Sequence, residues 1–392
     1  MARRHPTAVV VLGLLAAGLL AVTPTAVAGT NAWTRAGLAG QPLTGIVSTS
    51  TALYAGTPAG GIKRSTDGGG TWSAAGLDGL GISRLVPDPA AATTLYAVVD
   101  GDAFGGGTLR RTTDSGATWN AVDVPGAAER DVAVVAGKLY VATTGGIYMS
   151  ADNGGNWTLL GLSGYSAGRG PRRVTVATTD PDRLYAAVMI LGGHQVWRST
   201  DGGATWSAAG AAMGTDSLYG LAVGPADPDQ VYAASATGPF RSGDGAVTWA
   251  DMGSFAYGVV ATSAGIGFAT SAGAFVSRDG GASWTGLSLS GLDSSSYAFK
   301  AVAFADGDAN TIYAATADGA YVFTTVAPVL PTNVTPPSIT GTPQVGELVV
   351  CDTGTWDDAD SVARGTHSGG GFGMCCRVTD RSGREFDPGA VA

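Results

Sequence analysis

Residues 199–206 read STDGGATW, and the phrase recurs as STDGGGTW from 65, TTDSGATW from 112, SADNGGNW from 150, SGDGAVTW from 242 and SRDGGASW from 277. The six openings lie 47, 38, 49, 43 and 35 residues apart, about 42 on average. A period of that size belongs to propeller blades, solenoid units or helical arrays. Helices are excluded by what lies between the copies, which is short runs of β-branched and aromatic residues such as TLYAVVD then GTLRRTT, or RLYAAVM then QVWRST, with a further run such as VTVAT before them. Each unit therefore reads as three short strands, a turn, and a fourth strand that starts at the tryptophan. Four strands in about 42 residues is the size of one propeller blade. Glycine at 62 of 392 residues, with no collagen-like period, supplies the tight turns this pattern needs.

One aromatic position in the second strand counts seven units: Tyr54, Tyr96, Tyr140, Tyr185, Tyr232, Phe268 and Tyr313. Only six turn phrases exist, because the last unit runs into VAPVLPTNVTPP before its own phrase. The missing strand is expected at the other end of the chain. AWTRAGLAG at 32–40 matches TWSAAGLDG at 71–79 and places Trp33 where the other units have their tryptophan. The fold expected is an all-β, seven-bladed propeller of four-stranded blades, closed by the N-terminal strand at residues 32–38 and lacking exposed edges.

The repeated phrase reads as a structural staple formed by Ser65, Asp67 and Trp72; Thr112, Asp114 and Trp119; Ser150, Asp152 and Trp157; Ser199, Asp201 and Trp206; Ser242, Asp244 and Trp249; and Ser277, Asp279 and Trp284. Hydroxyl and carboxylate satisfy backbone groups that a tight turn leaves unpaired, glycine supplies positive φ, and tryptophan wedges against the blade. Identical residues spread around a ring cannot converge on one substrate, so these are not read as catalytic or metal-binding. Two copies depart from the pattern, with Asn156 in the Thr or Ser position and Ala246 in a Gly position, and their turns are expected to be less regular.

These residues resemble the Asp-box (bacterial neuraminidase) repeat, over about residues 30–326. The phrases DPDRLYA and ADPDQVYA followed by RSTDGG resemble in particular xyloglucanase-type glycoside hydrolases, sortilin-like propellers and photosystem assembly-factor propellers. The resemblance implies the fold and leaves function open, since such proteins include both glycosidases and binding proteins. A sialidase of this kind would show an Arg-Ile-Pro segment near the first blade, three arginines for a substrate carboxylate, a glutamate and a tyrosine nucleophile. This chain has no such segment, and Glu129 is the single glutamate in its repeats. Xyloglucanase-type enzymes take one catalytic aspartate from each of two propellers, and a glycosidase needs two carboxyl groups about 5–9.5 Å apart. One propeller supplies half of that arrangement.

The expected function is therefore binding of an extracellular glycan or protein ligand, with a glycoside hydrolase acting on plant or microbial polysaccharide as the alternative. The site is expected on the face opposite the boxes, where the links between second and third strands and between blades lie. Its carboxylates are Asp100, Asp102, Asp123, Glu129 and Asp131, with Asp100 and Asp102 the catalytic candidates. Phe104, Tyr165, Phe255 and Tyr297 are the platforms, and Arg169 an anion contact beside Arg172 and Arg173. No metal site and no cofactor is expected, because the two histidines beyond the leader lie in different domains and the glycine runs lack the lysine and helix of a phosphate cradle.

MARRHPT followed by a run of about 15 apolar residues and AVA at 26–28 reads as a signal peptide, residues 1–28, and predicts a secreted or cell-wall protein. The run is shorter than a membrane span needs. Loss of Arg3 and Arg4 takes the formal charge from −9 to −11, which disfavours nucleic acid as a partner. No membrane span after cleavage and a monomer are expected. Residues 29–326 make the propeller, 327–336 a proline-rich linker, and 337–392 a short module whose PSITGTPQVGELVVCDTGTW and CRVT resemble bacterial immunoglobulin-like modules. Cys351 with Cys375 or Cys376 is a possible disulfide pair in an exported protein.

Overall fold

The computed structural model describes residues 31–325 except 102–106, 127, 167–168, 192, 211–217, 254 and 294–297, and beyond 325 only the backbone of six short strands. The predicted leader, Cys375, Cys376, the side chain of Cys351, and the candidates Asp102, Phe104 and Tyr297 lie outside these descriptions. Two compact parts divide the chain, Met1–Thr325 and Val326–Ala392. In the second part, the strands Thr332–Thr335, Ser338–Thr340, Val350–Asp352, Thr355–Asp357, Val378–Thr379 and Glu385–Phe386 pair two by two. Among the described residues no helix is long and apolar enough to cross a membrane.

Among the described residues of the first part every element is an antiparallel strand. Five sheets have four strands each, and one of eight divides into two sets of four joined by the single pairing of Glu129 with Gly107. Numbered in chain order as sheets 1 to 7, their first strands are Gly45–Ser48, Ile82–Asp88, Glu129–Val135, Gly170–Val176, Leu218–Val223, Ala256–Thr262 and Phe299–Ala305. Each first strand packs against the next, and that of sheet 7 against that of sheet 1, so the seven surround a common axis.

The ring closes as expected. Trp33–Arg35 is the fourth strand of sheet 7, with Trp33 opposite Phe323 and Arg35 opposite Tyr321. Trp33 is 1% exposed and meets Phe299 edge-on at 4.9 Å and Phe323 at 5.1 Å. Arg35 donates to the Asp318 carboxylate at 2.7 Å and to Asp293 at 2.5 Å, and lies over the Tyr321 ring at 4.9 Å. Pairing the two ends of the described ring removes the edge an open array would expose.

The boxes have one geometry. In the first, the Ser65 hydroxyl donates to Asp67 Oδ1 at 2.7 Å and accepts from Gly69 N at 2.8 Å. Thr71 donates to the same carboxylate through N at 2.9 Å and through Oγ1 at 2.6 Å. In three of the six boxes the tryptophan also ties its sheet to the one before it: Trp72, Trp119 and Trp206 donate Nε1–H to the carbonyls of Ala36, Ala75 and Leu160 at 2.7, 2.8 and 2.9 Å. Second-strand tyrosines reach the other way, with Tyr232 donating to the Gly280 carbonyl of the next box at 2.8 Å.

The expectation that two boxes are irregular fails. Asn156 reproduces both bonds of Thr71, from N at 2.8 Å and from Nδ2 at 2.6 Å, because a side-chain amide reaches the carboxylate as a hydroxyl does. Ala246 N donates to Ser242 Oγ at 2.8 Å, as a glycine would, and holds φ at 71°. The backbone network outweighs the steric cost of a Cβ in the left-handed region, about 1–2 kcal/mol.

Candidate functional site at the axial mouth

At the end of the ring opposite the boxes, six first strands break register at one place: Ile82/Arg84, Glu129/Asp131, Pro171/Arg173, Leu218/Gly220, Ala256/Gly258 and Phe299/Ala301. Sheet 1 pairs without interruption there. The extra residues are Ser83, Arg130, Arg172, Tyr219, Tyr257 and Lys300. A bulge re-aims the side chain it carries, and a ring of them gathers six side chains of four types around the axis.

The gathered groups touch in sequence. Arg84 Nε donates to Asp131 Oδ1 at 2.6 Å, and Asp131 Oδ2 accepts from Val174 N at 3.1 Å, joining sheets 2, 3 and 4. Arg130 Nη1 donates to the carbonyls of Arg169 and Pro171 at 3.0 and 3.1 Å. Arg173 donates from Nε to the Tyr219 carbonyl at 2.7 Å and from Nη1 to the Arg172 carbonyl at 2.9 Å. Desolvation pushes its pKa down to about 10; nearby Asp131 opposes the fall, and Arg84 and Arg172 add to it. Tyr219, Phe255 and Tyr257, all half-buried, form an aromatic wall with centroids 4.5–6.2 Å apart. Lys300 Nζ lies 3.9 Å from the centre of the Tyr257 ring, a cation–π contact.

The sequence-derived candidates divide. Phe255 belongs to the aromatic wall. Asp131 and Glu129 are not loop carboxylates: both sit in the first strand of sheet 3, 1% and 6% exposed, because that strand begins earlier than the polar run AAER implies. Asp100 and Glu129 are both paired through Gly107, which places them on either side of one glycine. Burial pushes Glu129 up to about 7, against a bond from its own backbone N–H, and Asp123 adds to the rise. Asp123 and Arg169 are exposed. Tyr165 is not an open platform, since it packs on the core between sheets 3 and 4 and burial raises its pKa.

Arg84, Tyr219 and Lys300 escaped the reading of loops because they lie within strands, and Arg130 and Tyr257, next to the candidates Glu129, Asp131 and Phe255, were not singled out. Their signal was present: near the start of almost every first strand, a charged or aromatic residue interrupts an otherwise small or apolar run.

Residues 197–208 match the BNR/Asp-box repeat. No curated protein matches the chain. Among solved structures, the GH74 enzyme of Niastella koreensis superposes with a TM-score of 0.58 at 22% identity, and the GH74 xyloglucanase of Xanthomonas campestris with 0.58 at 17%. Each comparison covers 74% of this chain and 53% of the enzyme, so the chain spans about half the length of these relatives. YCF48 bound to D1 peptide superposes with a TM-score of 0.54 at 16% identity, over 75% of this chain and 96% of that one. With the four-stranded antiparallel sheets closed around an axis, these likenesses identify the fold of residues 31–325 as an Asp-box β-propeller.

Proposed function

We propose that the chain is an exported, seven-bladed propeller, each four-stranded sheet one blade, that binds a glycan at the axial mouth. The observation that carries this reading is the Tyr219–Phe255–Tyr257 wall beside Arg173 and Lys300. Aromatic faces receive the apolar faces of sugar rings, while fixed donors nearby read hydroxyl and acidic groups. The sequence supports export through its leader-like first 28 residues, and the C-terminal module is read as an immunoglobulin-like appendage. A protein ligand is the competing class, since a propeller of similar fold is known bound to a peptide.

A second reading, glycoside hydrolysis, is favoured by one observation: Glu129, held near neutrality by burial and flanked across Gly107 by Asp100, has the protonation a general acid needs. Affinity electrophoresis through a panel of polysaccharides, with reducing ends assayed in parallel, tests both readings. Retardation that Phe255→Ala and Tyr257→Ala weaken, with no new reducing ends, supports binding. Release of reducing ends that Glu129→Gln abolishes supports the hydrolase instead. A protein retarded by no glycan sinks the glycan reading.

A further inference from the structure

We propose that the group selected at this mouth is a carboxylate, and that the ligand is an acidic, uronate-bearing polysaccharide; this rests on the glycan reading above. The chain as a whole is acidic, at −9, yet Arg84, Arg130, Arg172, Arg173 and Lys300 meet at one end of the ring. Two carboxyl groups lie in the same strand as Arg130: Asp131 has both oxygens engaged by Arg84 and Val174 N, and burial raises the pKa of Glu129 to about 7. Among the described residues Arg84 donates only through Nε, and Arg173 only through Nε and Nη1. Both terminal nitrogens of Arg84 and Nη2 of Arg173 are left for a ligand.

Both guanidinium planes are anchored, Arg84 by Nε and Arg173 by Nε and Nη1, so the side-chain ordering that contact with a carboxylate requires is already complete. Burial is the main cause that lowers the pKa of Arg173, with Asp131 opposing the fall and Arg84 and Arg172 adding to it, and an arriving anion would favour the charged form. One sheet further round the ring, the backbone carbonyl Arg173 holds belongs to Tyr219, the first ring of the aromatic wall. Guanidinium donors beside that wall match a sugar ring that carries its own carboxylate. A peptide added as a strand would need a regular edge, and six of the seven first strands are bulged where it would have to pair.

The test is calorimetric titration of the full chain with polygalacturonate, with the same polymer methyl-esterified, with dextran sulfate and with polyglutamate. Tighter binding of the acid than of its ester by about tenfold or more, the weight of one charge-assisted hydrogen bond, is expected, and the ratio should shrink as salt rises. Arg173→Gln should bring the ratio of acid to ester toward one. Equal binding of acid and ester overturns the carboxylate assignment while leaving the glycan reading standing, and dextran sulfate bound as well as the acid overturns it in favour of charge alone. Polyglutamate bound where polygalacturonate is not overturns both. The acid–ester comparison uses the unaltered protein, so a variant that fails to fold does not spare the proposal.

Discussion

The two ends of the ring are built on the same period and have diverged in opposite ways. At the box end, six turns repeat both backbone and side chains, and each hydroxyl and carboxylate is spent on its own turn. At the mouth the backbone deviation repeats while the side chains do not: Ser83, Arg130, Arg172, Tyr219, Tyr257 and Lys300 occupy corresponding bulges. Repetition of chemistry around a ring marks scaffolding, since symmetric copies cannot meet on one ligand. Repetition of backbone with varied chemistry marks a place where different side chains are brought to one point.

The largest test of that division falls on sheet 7, which has the tryptophan position without the box. If boxes bind neighbouring sheets together, the boxless position must be held by burial. Trp33 is enclosed where Trp72 is half-exposed. Trp33→Ala is expected to cost about 3–5 kcal/mol, clearly more than Trp72→Ala, in urea-unfolding midpoints. Equal losses would show that position in the ring, and not enclosure, sets the value of a tryptophan.

Acid separates the two ends by sign. Asp67, Asp114, Asp152, Asp201 and Asp244 are held at about 2 chiefly by bonds from the residue four positions on, below the ordinary 3.8, so their contribution is present above pH 3.8 and is lost as pH falls toward 2. Glu129 runs the other way. Its pKa of about 7 lies above the ordinary 4.5, so its burial costs nothing below pH 4.5, and the cost grows as pH rises to 7. Glu129→Gln should therefore equal the parent near pH 4 and exceed it above pH 7 by about 2 kcal/mol, reduced from the full shift for water reaching the mouth. Thermal melts across pH decide it, and a pH-independent difference would mean that Glu129 acts through packing.

How much of this the sequence disclosed follows the same division. The boxes and the closing strand were legible because each is a local phrase whose meaning lies within eight or nine residues. The match of AWTRAGLAG to TWSAAGLDG located the last strand 290 residues from its partner Phe323. The mouth was legible only in part. Phe255 was found, but Asp131 was taken for a loop charge when its partner Arg84 lies 47 residues away. A bulge is a product of strand pairing and twist, not of the strand's own composition, so no single stretch announces that Tyr257 and Lys300 will face each other.

A smaller effect tests whether the box end is scaffolding alone. Ser199→Ala removes the acceptor of Gly203 N, which is buried, and should cost about 1–2 kcal/mol in denaturant unfolding while leaving glycan affinity unchanged. A change in affinity with unchanged stability would couple the two ends and break the division.

The smallest expected effect asks whether the network or the glycine fixes the box. Ala246 sits in the left-handed region at φ 71°, where a Cβ costs about 1–2 kcal/mol, yet its amide keeps the bond to Ser242 Oγ and its methyl is wholly buried. Ala246→Gly would relieve that strain, lose about 0.8 kcal/mol of methyl burial and add about 0.5–1 kcal/mol of backbone entropy in the unfolded chain. These opposing terms leave a change within about 0.8 kcal/mol of zero. The reverse substitution does not balance, because a Cβ on Gly203 would lie 2.7 Å from Leu160 Cδ1, and Gly203→Ala should be the more destabilising of the two. If Ala246→Gly stabilised the protein by more than 1 kcal/mol, glycine would be the principal determinant of the turn, and the hydroxyl–carboxylate network would be secondary to it.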